Sequence, residues 1–341
     1  MDNSPYLTYK IEDRSYVSFI KREIHNSLGT AGFSPGRIGE IDIVVSELTS
    51  NLIKHAGTGE LLYRISNEPD GNKAFEVFCL DNGQGINDIS RMMRDGASTT
   101  NTLGEGLGAI QRLSDLFQIF SIPGSGTVAI SKILMNPTKI FQGKPAPSLQ
   151  VKAVQVCYPG EQVCGDGYSV QKTDDETRIF LGDGLGHGPH AHEAVQEGIK
   201  AFIECDYSSP AEILRFMHQK VKKTRGLVGT VAILNHGEKQ WQICGVGNIS
   251  TRLYQGLQSK NYMSHNGIVG LNIPNTMNNY TVEADQFQTI VMCSDGIKTR
   301  WDLGRYSGIL KHDPSMIASV LFKDHARRND DMTVLVGKVN I

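Results

Sequence analysis

Glu47 and Asn51 stand four residues apart, with His55 a further turn along, so within a helix the three share a face. An amide oxygen can ligate a hard cation such as magnesium, which keeps several waters and bridges phosphate oxygens. A carboxylate one turn earlier can accept the proton of an attacking hydroxyl. Downstream, Asp81-Asn82-Gly83-Gln84-Gly85 follows an apolar run, and Gly104-Glu105-Gly106-Leu107-Gly108 opens a helical one. Glycines let the backbone approach a ligand, and a helix start offers free amides to phosphate. Asp81 can accept a hydrogen bond from an adenine amino group. An isolated E-x-x-x-N is mostly a solvated helix face, and a single glycine loop is mostly a turn. The ordered set is what points to a nucleotide.

A second set is acidic. Asp166 lies in Cys164-Gly165-Asp166-Gly167, Asp183 in Gly182-Asp183-Gly184, Asp295 in Ser294-Asp295-Gly296, and Asp330 in Asn329-Asp330-Asp331-Met332. Each abuts an apolar segment of strand character. One aspartate beside glycine is usually a turn residue; four at strand ends make a set of oxygen ligands suited to magnesium or manganese. Two such ions polarise a phosphate and acidify the attacking water.

The elements that must position these residues fall on two sides of Asn136–Ser148, a stretch holding three prolines. The expected division is therefore 1–136, a linker at 137–148, and 149–341. Before the linker the pattern reads helix, helix, strand, strand, loop, helix, strand, strand. Ser34 and Pro35 start the second helix, where Ile38, Ile41, Val45, Leu48 and Leu52 recur at helical spacing. Strands are expected at 61–65, 75–80, 116–121 and 128–134. After the linker they are expected at 151–156, 178–182, 231–234, 241–244, 290–293 and 333–336, with helices near 190–204 and 211–223. That mixture predicts an α+β layered domain.

Composition narrows the function classes. The chain has 341 residues, enough for two cores, with 34 Lys plus Arg against 36 Asp plus Glu. That balance, without charge blocks, argues against a nucleic-acid binder or a basic membrane-surface protein. No apolar run reaches about 18 residues, so no spanning helix is expected. The six cysteines show no CxxC pair. Reduced thiols and a polar start lead us to expect a cytoplasmic protein.

Glu47–Asn51–His55–Ala56, Asp81-x-Gly83-x-Gly85, Gly104-x-Gly106-x-Gly108 and Gly124-x-Gly126-Thr127 resemble the successive boxes of the GHKL ATPase/kinase superfamily. Within it the first 135 or so residues are most similar to the small bacterial anti-sigma-factor and stressosome switch serine kinases. Asp88-Ile89, Asp95-Gly96-x-Ser98-Thr99 and Arg112-Leu113 also match that pattern. The resemblance implies a Bergerat-type α/β sandwich that grasps ATP and Mg2+ under a lid near 90–103. It assigns Glu47 to activating the substrate hydroxyl, Asn51 to magnesium and Asp81 to adenine. Gly83, Gly85, Gly104, Gly106 and Gly108 would shape pocket and lid, with Thr127 nearby.

From Val151 onward, Asp183-Gly184-x-Gly186-His187-Gly188, Gly245-Val246-Gly247-Asn248, Ser294-Asp295-Gly296 and Asp330-Asp331-Met332-Thr333 resemble the PPM-type phosphatases in their SpoIIE-like branch. That likeness implies an α-β-β-α sandwich holding two Mn2+ or Mg2+ ions. Asp183 would bridge them and the Gly184 carbonyl complete one shell. Asp166, Asp295 and Asp330 would be the remaining carboxylates, with Asp331 an open alternative to Asp330. Cys164 stands where the family often has glycine. Arg225 and Arg328 are candidates for holding phosphate, and His187 for orienting water or phosphate; for each a plain surface role is as open.

Together the resemblances imply a bifunctional kinase and phosphatase acting on STAS-domain antagonist or scaffold proteins, with a switch protein or sigma factor downstream. The alternative is an ATP- or partner-binding module that regulates a single phosphatase activity without transferring phosphate.

Overall fold

The computed structural model describes residues 4–93, 106–137, 149–256 and 258–340. The chain divides into two compact units, Met1–Gly143 and Lys144–Ile341. All but the first residue of the expected linker at 137–148, and most of the expected lid, from residue 94 on, lie outside the described residues.

The first unit runs β1 (Leu7–Ile11), α1 (Arg14–Ala31), α2 (Pro35–His55), β2 (Gly59–Asn67), β3 (Lys73–Asp81), a single turn α3 (Ile89–Met92), α4 (Gly106–Leu113), β4 (Leu116–Ile122) and β5 (Gly126–Leu134). Local chemistry sets its helix ends. The Asp13 carboxylate accepts from the Ser15 and Tyr16 amides at the start of α1. Gly32, at φ +93°, closes that helix in the left-handed region. Ser34 caps α2, with Pro35 in its first turn. The stripe Ile38, Ile41, Val45, Leu48 and Leu52 is buried, as its spacing predicts.

All five strands pair antiparallel in the order β1-β2-β3-β5-β4. Ile20, Ile24, Leu48, Tyr63, Phe75, Val77 and Ile133 belong to the core between sheet and helices. Strand β1 was not expected. Four of its five residues are exposed or half-buried and only Ile11 is fully buried, so no apolar alternation marks it.

The second unit runs β6 (Leu149–Val156), β7 (Asp166–Lys172), β8 (Glu176–Gly184), α5 (Pro189–Glu204), α6 (Pro210–Lys220), β9 (Leu227–Asn235), β10 (Gln240–Val246), β11 (Ser250–Gln255), β12 (Gln258–Tyr262), β13 (Tyr280–Glu283), β14 (Thr289–Cys293), α7 (Pro314–His325) and β15 (Met332–Val339). Two antiparallel sheets, ordered β13-β10-β9-β8-β7 and β12-β11-β14-β15-β6, enclose Leu149, Tyr168, Ile179, Leu181, Trp241, Met292 and Leu335. Helices α5 and α6 cover the first sheet through Phe180, Phe202, Leu214 and Val231, and α7 packs on β15 and β6 of the second. The layers are therefore α-β-β-α.

Two expectations need correction. Helix α6 stops at Lys220 rather than residue 223; Val221 caps it and a tight turn carries the chain to Gly226. Helix α7 was missed because eight of its twelve residues, Pro314 and Met316–Phe322, are buried. A helix apolar on nearly all sides has no amphipathic period to read. None of the described helices is long and apolar enough to cross a membrane.

Candidate functional site

In the first unit, the C-terminal half of α2 is the wall against which the polar boxes gather. Glu47 and Asn51 lie off the buried stripe and are half-buried. Gly106, the first residue of α4, sits over both: a Cβ there would lie 2.7 Å from Oε2 of Glu47 and 3.9 Å from Nδ2 of Asn51. Only a residue without a side chain lets that helix start come so close. His55 is exposed, and the following Ala56 packs on Gly83.

Asp81 ends β3. Its Oδ1 accepts from the Gly83 amide at 2.8 Å and from the Thr127 amide at 3.2 Å, fixing the side chain at the mouth of the loop. Gly126, at φ +87°, brings its Cα against the Asp81 carbonyl. Gly85, at φ +71°, does the same against Ile122. Ser121 Oγ links Thr127 Oγ1, the Gly126 carbonyl and the Ile86 amide. The structure thus brings Glu47, Asn51 and Gly106 together, and separately Asp81, Gly83, Gly126 and Thr127, along one helix end. Gly108 is buried within α4. Gly104 lies outside the described residues.

In the second unit the acids collect at one end of the sandwich, and strand phase explains why. Tyr168 faces the inter-sheet core, so Asp166, two residues earlier, points the same way. Ile179 and Leu181 set the phase of Asp183, and Leu335 that of Thr333 and Asp331. Asp166 and Asp183 are cross-strand partners, directly opposite each other on β7 and β8.

Asp166 is 1% exposed. Its Oδ2 accepts from Ser294 Oγ at 2.6 Å and Thr333 Oγ1 at 2.8 Å, while Oδ1 is buried with no partner. Burial, opposed by those hydroxyls and reinforced by Asp331, pushes the Asp166 carboxyl up to about 8. Burial and the charges of Asp166, Asp295, Asp330 and Asp331 push Asp183 up to about 10. Asp295 is also raised by burial and by Asp330, against a hydrogen bond from Asn248 Nδ2 at 2.9 Å and the charge of Arg327.

Asp330 and Asp331 part company in space. Asp330 is half-buried beside Asp295, its Oδ1 accepting from the Asp331 amide at 2.9 Å. Asp331 is 2% exposed; Oδ1 accepts from the Tyr158 amide at 2.8 Å, and Oδ2 is buried without a partner, facing Gly165. Gly184 backs onto α5 at Ala191, and its amide donates to the Gly165 carbonyl.

Among the described residues no three His, Cys, Asp or Glu side chains close on one point tightly enough to hold a bare ion. Mutually repelling carboxylates with orphaned buried oxygens nevertheless fit hydrated divalent cations, which take part of their shell from water. His187 stacks on Tyr158 and meets Glu161 at 2.9 Å, and His192 bonds the Cys164 carbonyl. Among the described residues neither histidine bonds any of the five aspartates. Sequence reasoning missed Ser294 and Thr333 as partners of Asp166 and Tyr158 as partner of Asp331; strand phase from Leu335 was the available signal for Thr333.

Both units match known families. Residues 12–132 match the profile of the histidine kinase-like ATPase domain, and residues 173–340 that of the stage II sporulation protein E family. The serine/threonine-protein kinase RsbT of Bacillus subtilis strain 168 is 36% identical over 97 residues, covering 28% of this chain and 71% of that protein. The phosphoserine phosphatase RsbX of the same organism is 25% identical over 202 residues, 56% of this chain and 96% of that protein. A crystal structure of RsbX in complex with magnesium has a TM-score of 0.51 at 22% identity, covering 58% of this chain and 99% of that one. The chain belongs to the histidine kinase-like ATPase family through its first unit and carries, in its second, a SpoIIE-type domain of the PPM phosphatase fold.

Proposed function

We propose that this protein is a bifunctional switch enzyme of a partner-switching pathway. A serine/threonine kinase occupies 1–136 and a metal-dependent phosphoserine/phosphothreonine phosphatase 149–341, joined by a linker at 137–148. The observation that carries the reading is the Glu47 carboxylate beside Asn51 under the first turn of α4, on the same chain as the carboxylate pair Asp166 and Asp183. Nucleotide binding alone has no use for that carboxylate. The two relatives, named as a kinase and as a phosphatase, support the pairing.

In the kinase half, Asn51 would hold the magnesium of ATP, and Asp81, aligned by the Gly83 and Thr127 amides, would take the adenine amino group. Gly83, Gly85, Gly104, Gly106 and Gly108 would shape the nucleotide pocket and its lid. Glu47 would remove the proton of a substrate hydroxyl as it attacks the γ-phosphoryl group.

In the phosphatase half, Asp183 would bridge two magnesium or manganese ions. Asp166, Asp295, Asp330 and the Gly184 carbonyl would supply the other protein oxygens. Bound there, the cations would polarise the phosphoryl group and acidify the attacking water. Ser294 and Thr333 hold Asp166 in one rotamer, and Asn248 holds Asp295.

The substrates on this reading are STAS-domain proteins, and the cell compartment is the cytoplasm. The deciding experiment is the intact mass of a STAS-domain protein encoded beside this one, after incubation with ATP, magnesium and the Asp183→Asn protein. A gain of one phosphate that disappears when Glu47 is also changed to Ala is the expected result. No gain from a protein that demonstrably binds ATP would leave the first unit as a regulatory module.

A further inference from the structure

Hydrolysis of a phosphoserine requires a dianion to approach an end of the sandwich lined by five carboxylates. Cations bound there offset part of that repulsion, and a fixed guanidinium at the rim would offset more. The arginines nearest the acidic turns have different surroundings. Arg328, at φ +64°, stacks its guanidinium on Phe322 at 4.5 Å and is half-buried, a packing role against α7. Arg327 is tied by its amide to the Gly296 carbonyl, and its charge is already felt by Asp295.

Arg225 is placed differently. The β8–β9 ladder ends with Asp183 opposite Val228 and Gly184 opposite Leu227. One step further, the Leu185 amide donates to the Gly226 carbonyl at 3.2 Å. Arg225 then comes abreast of Gly186. Its Nη1 lies 3.2 Å from where a Cβ on Gly186 would be, so the guanidinium rests along the turn that follows Asp183 and Gly184. Gly186 has φ +80°, a conformation suited to glycine, and any side chain there would push the guanidinium away. Arg225 is exposed, and among the described residues its side chain has no ion pair or hydrogen bond. Lys222 and Lys223, exposed on the same turn, add charge of the same sign.

We propose that Arg225 grips the phosphoryl group of the incoming phosphoserine, holding it over Asp183 and thereby setting preference for dianionic phosphomonoesters. The inference rests on the phosphatase reading of this unit. A guanidinium offers two parallel N–H donors to two phosphoryl oxygens, a fork that lysine cannot reproduce.

The test compares wild type, Arg225→Ala, Arg225→Lys and Arg327→Ala, each loaded with manganese. A synthetic phosphoserine peptide and p-nitrophenyl phosphate are the substrates, and inorganic phosphate is titrated calorimetrically as the binding probe. The expected result for Arg225→Ala is a KM for the peptide about 10- to 100-fold higher, the range for losing a charge-assisted pair. Its kcat should change by less than about 3-fold, phosphate affinity should fall in parallel with KM, and Tm should stay that of wild type. Arg225→Lys should recover part of the loss, and Arg327→Ala should keep the wild-type KM. An unchanged KM and phosphate affinity in Arg225→Ala would overturn the proposal. So would a fall in kcat alone with a lower Tm, which is the mark of a turn-supporting role, or an equal KM rise in Arg327→Ala. If the wild type hydrolyses neither substrate while phosphate binding still depends on Arg225, the phosphatase reading fails and Arg225 remains a phosphate-binding residue.

Discussion

Asp166 and Asp183 face each other across β7 and β8 as direct antiparallel partners. Like charges in that position repel, and burial adds to the cost of ionising either one. Both carboxyls sit far above the usual carboxylate range, at about 8 and about 10. With the folded-state value raised, their contribution to stability is fully present below the unfolded pKa near 3.8. It is lost as pH rises through the folded values. Metal-free protein should therefore show a falling Tm between about pH 6 and pH 9, while manganese or magnesium raises Tm more at pH 9 than at pH 6. Calorimetric melts with and without chelator check this; a metal-free Tm that climbs over that range would contradict it.

The same relationship makes Asp183→Asn informative. Asparagine mimics the protonated carboxyl, so without metal the variant should melt with wild type below about pH 4 and increasingly above it as pH rises toward 9. Phosphatase activity should fall by at least about 100-fold, because the carboxylate proposed to hold both cations is gone. A variant less stable than wild type at high pH would mean that Asp183 is not held against its neighbours' charge.

In the first unit, Gly106→Ala would set a methyl group against Oε2 of Glu47, the mobile end of a long side chain. The carboxylate should swing aside rather than the helix move. Phosphotransfer should then drop by about 100-fold or more, the range of a positioned general base, with ATP affinity changed far less. Glu47→Ala should give the same split. Fluorescent-nucleotide binding beside a phosphotransfer assay separates the two, and equal losses in both would refute the assigned roles.

Gly126→Ala should act on folding instead. A Cβ there would fall 1.9 Å from the Asp81 carbonyl oxygen, backbone that cannot swing away, at a residue with φ +87°. A loss of about 2–4 kcal/mol is expected, enough to unfold much of this unit. Urea titration followed by far-ultraviolet circular dichroism reads it. A loss below about 1 kcal/mol would show that the β4–β5 turn relaxes.

Asp330→Asn and Asp331→Asn should differ. Asp330 faces Asp295, so its loss should weaken metal binding by about 10-fold or more and leave stability nearly unchanged. Asp331→Asn keeps an oxygen for the Tyr158 amide and removes a buried charge, so metal-free stability should rise. Manganese titration and thermal melts of both variants decide which aspartate is the ligand.

Much of the architecture was legible because it is written in local chemistry. Ser34 and Pro35 announce α2, the spacing from Ile38 to Leu52 gives its buried face, and the glycine boxes mark where backbone must approach backbone. Amphipathic helices and the buried strands β3, β9 and β14 were readable for the same reason. Strand β1, mostly exposed, and helix α7, buried nearly all round, were not, since neither carries the contrast between two faces that periodicity detects.

The two motif sets, and with them the GHKL and PPM folds, were determined by sequence alone, because each box answers to its own few residues. Tertiary structure decided what the boxes do to one another. Gly106 meets Glu47 only because α4 packs on α2, and Asp166 opposes Asp183 only through the β7–β8 register. Adjacent Asp330 and Asp331 look equivalent in a string. Successive side chains at a strand end point to opposite sides, so one stands beside Asp295 and the other is buried under Tyr158 and Gly165.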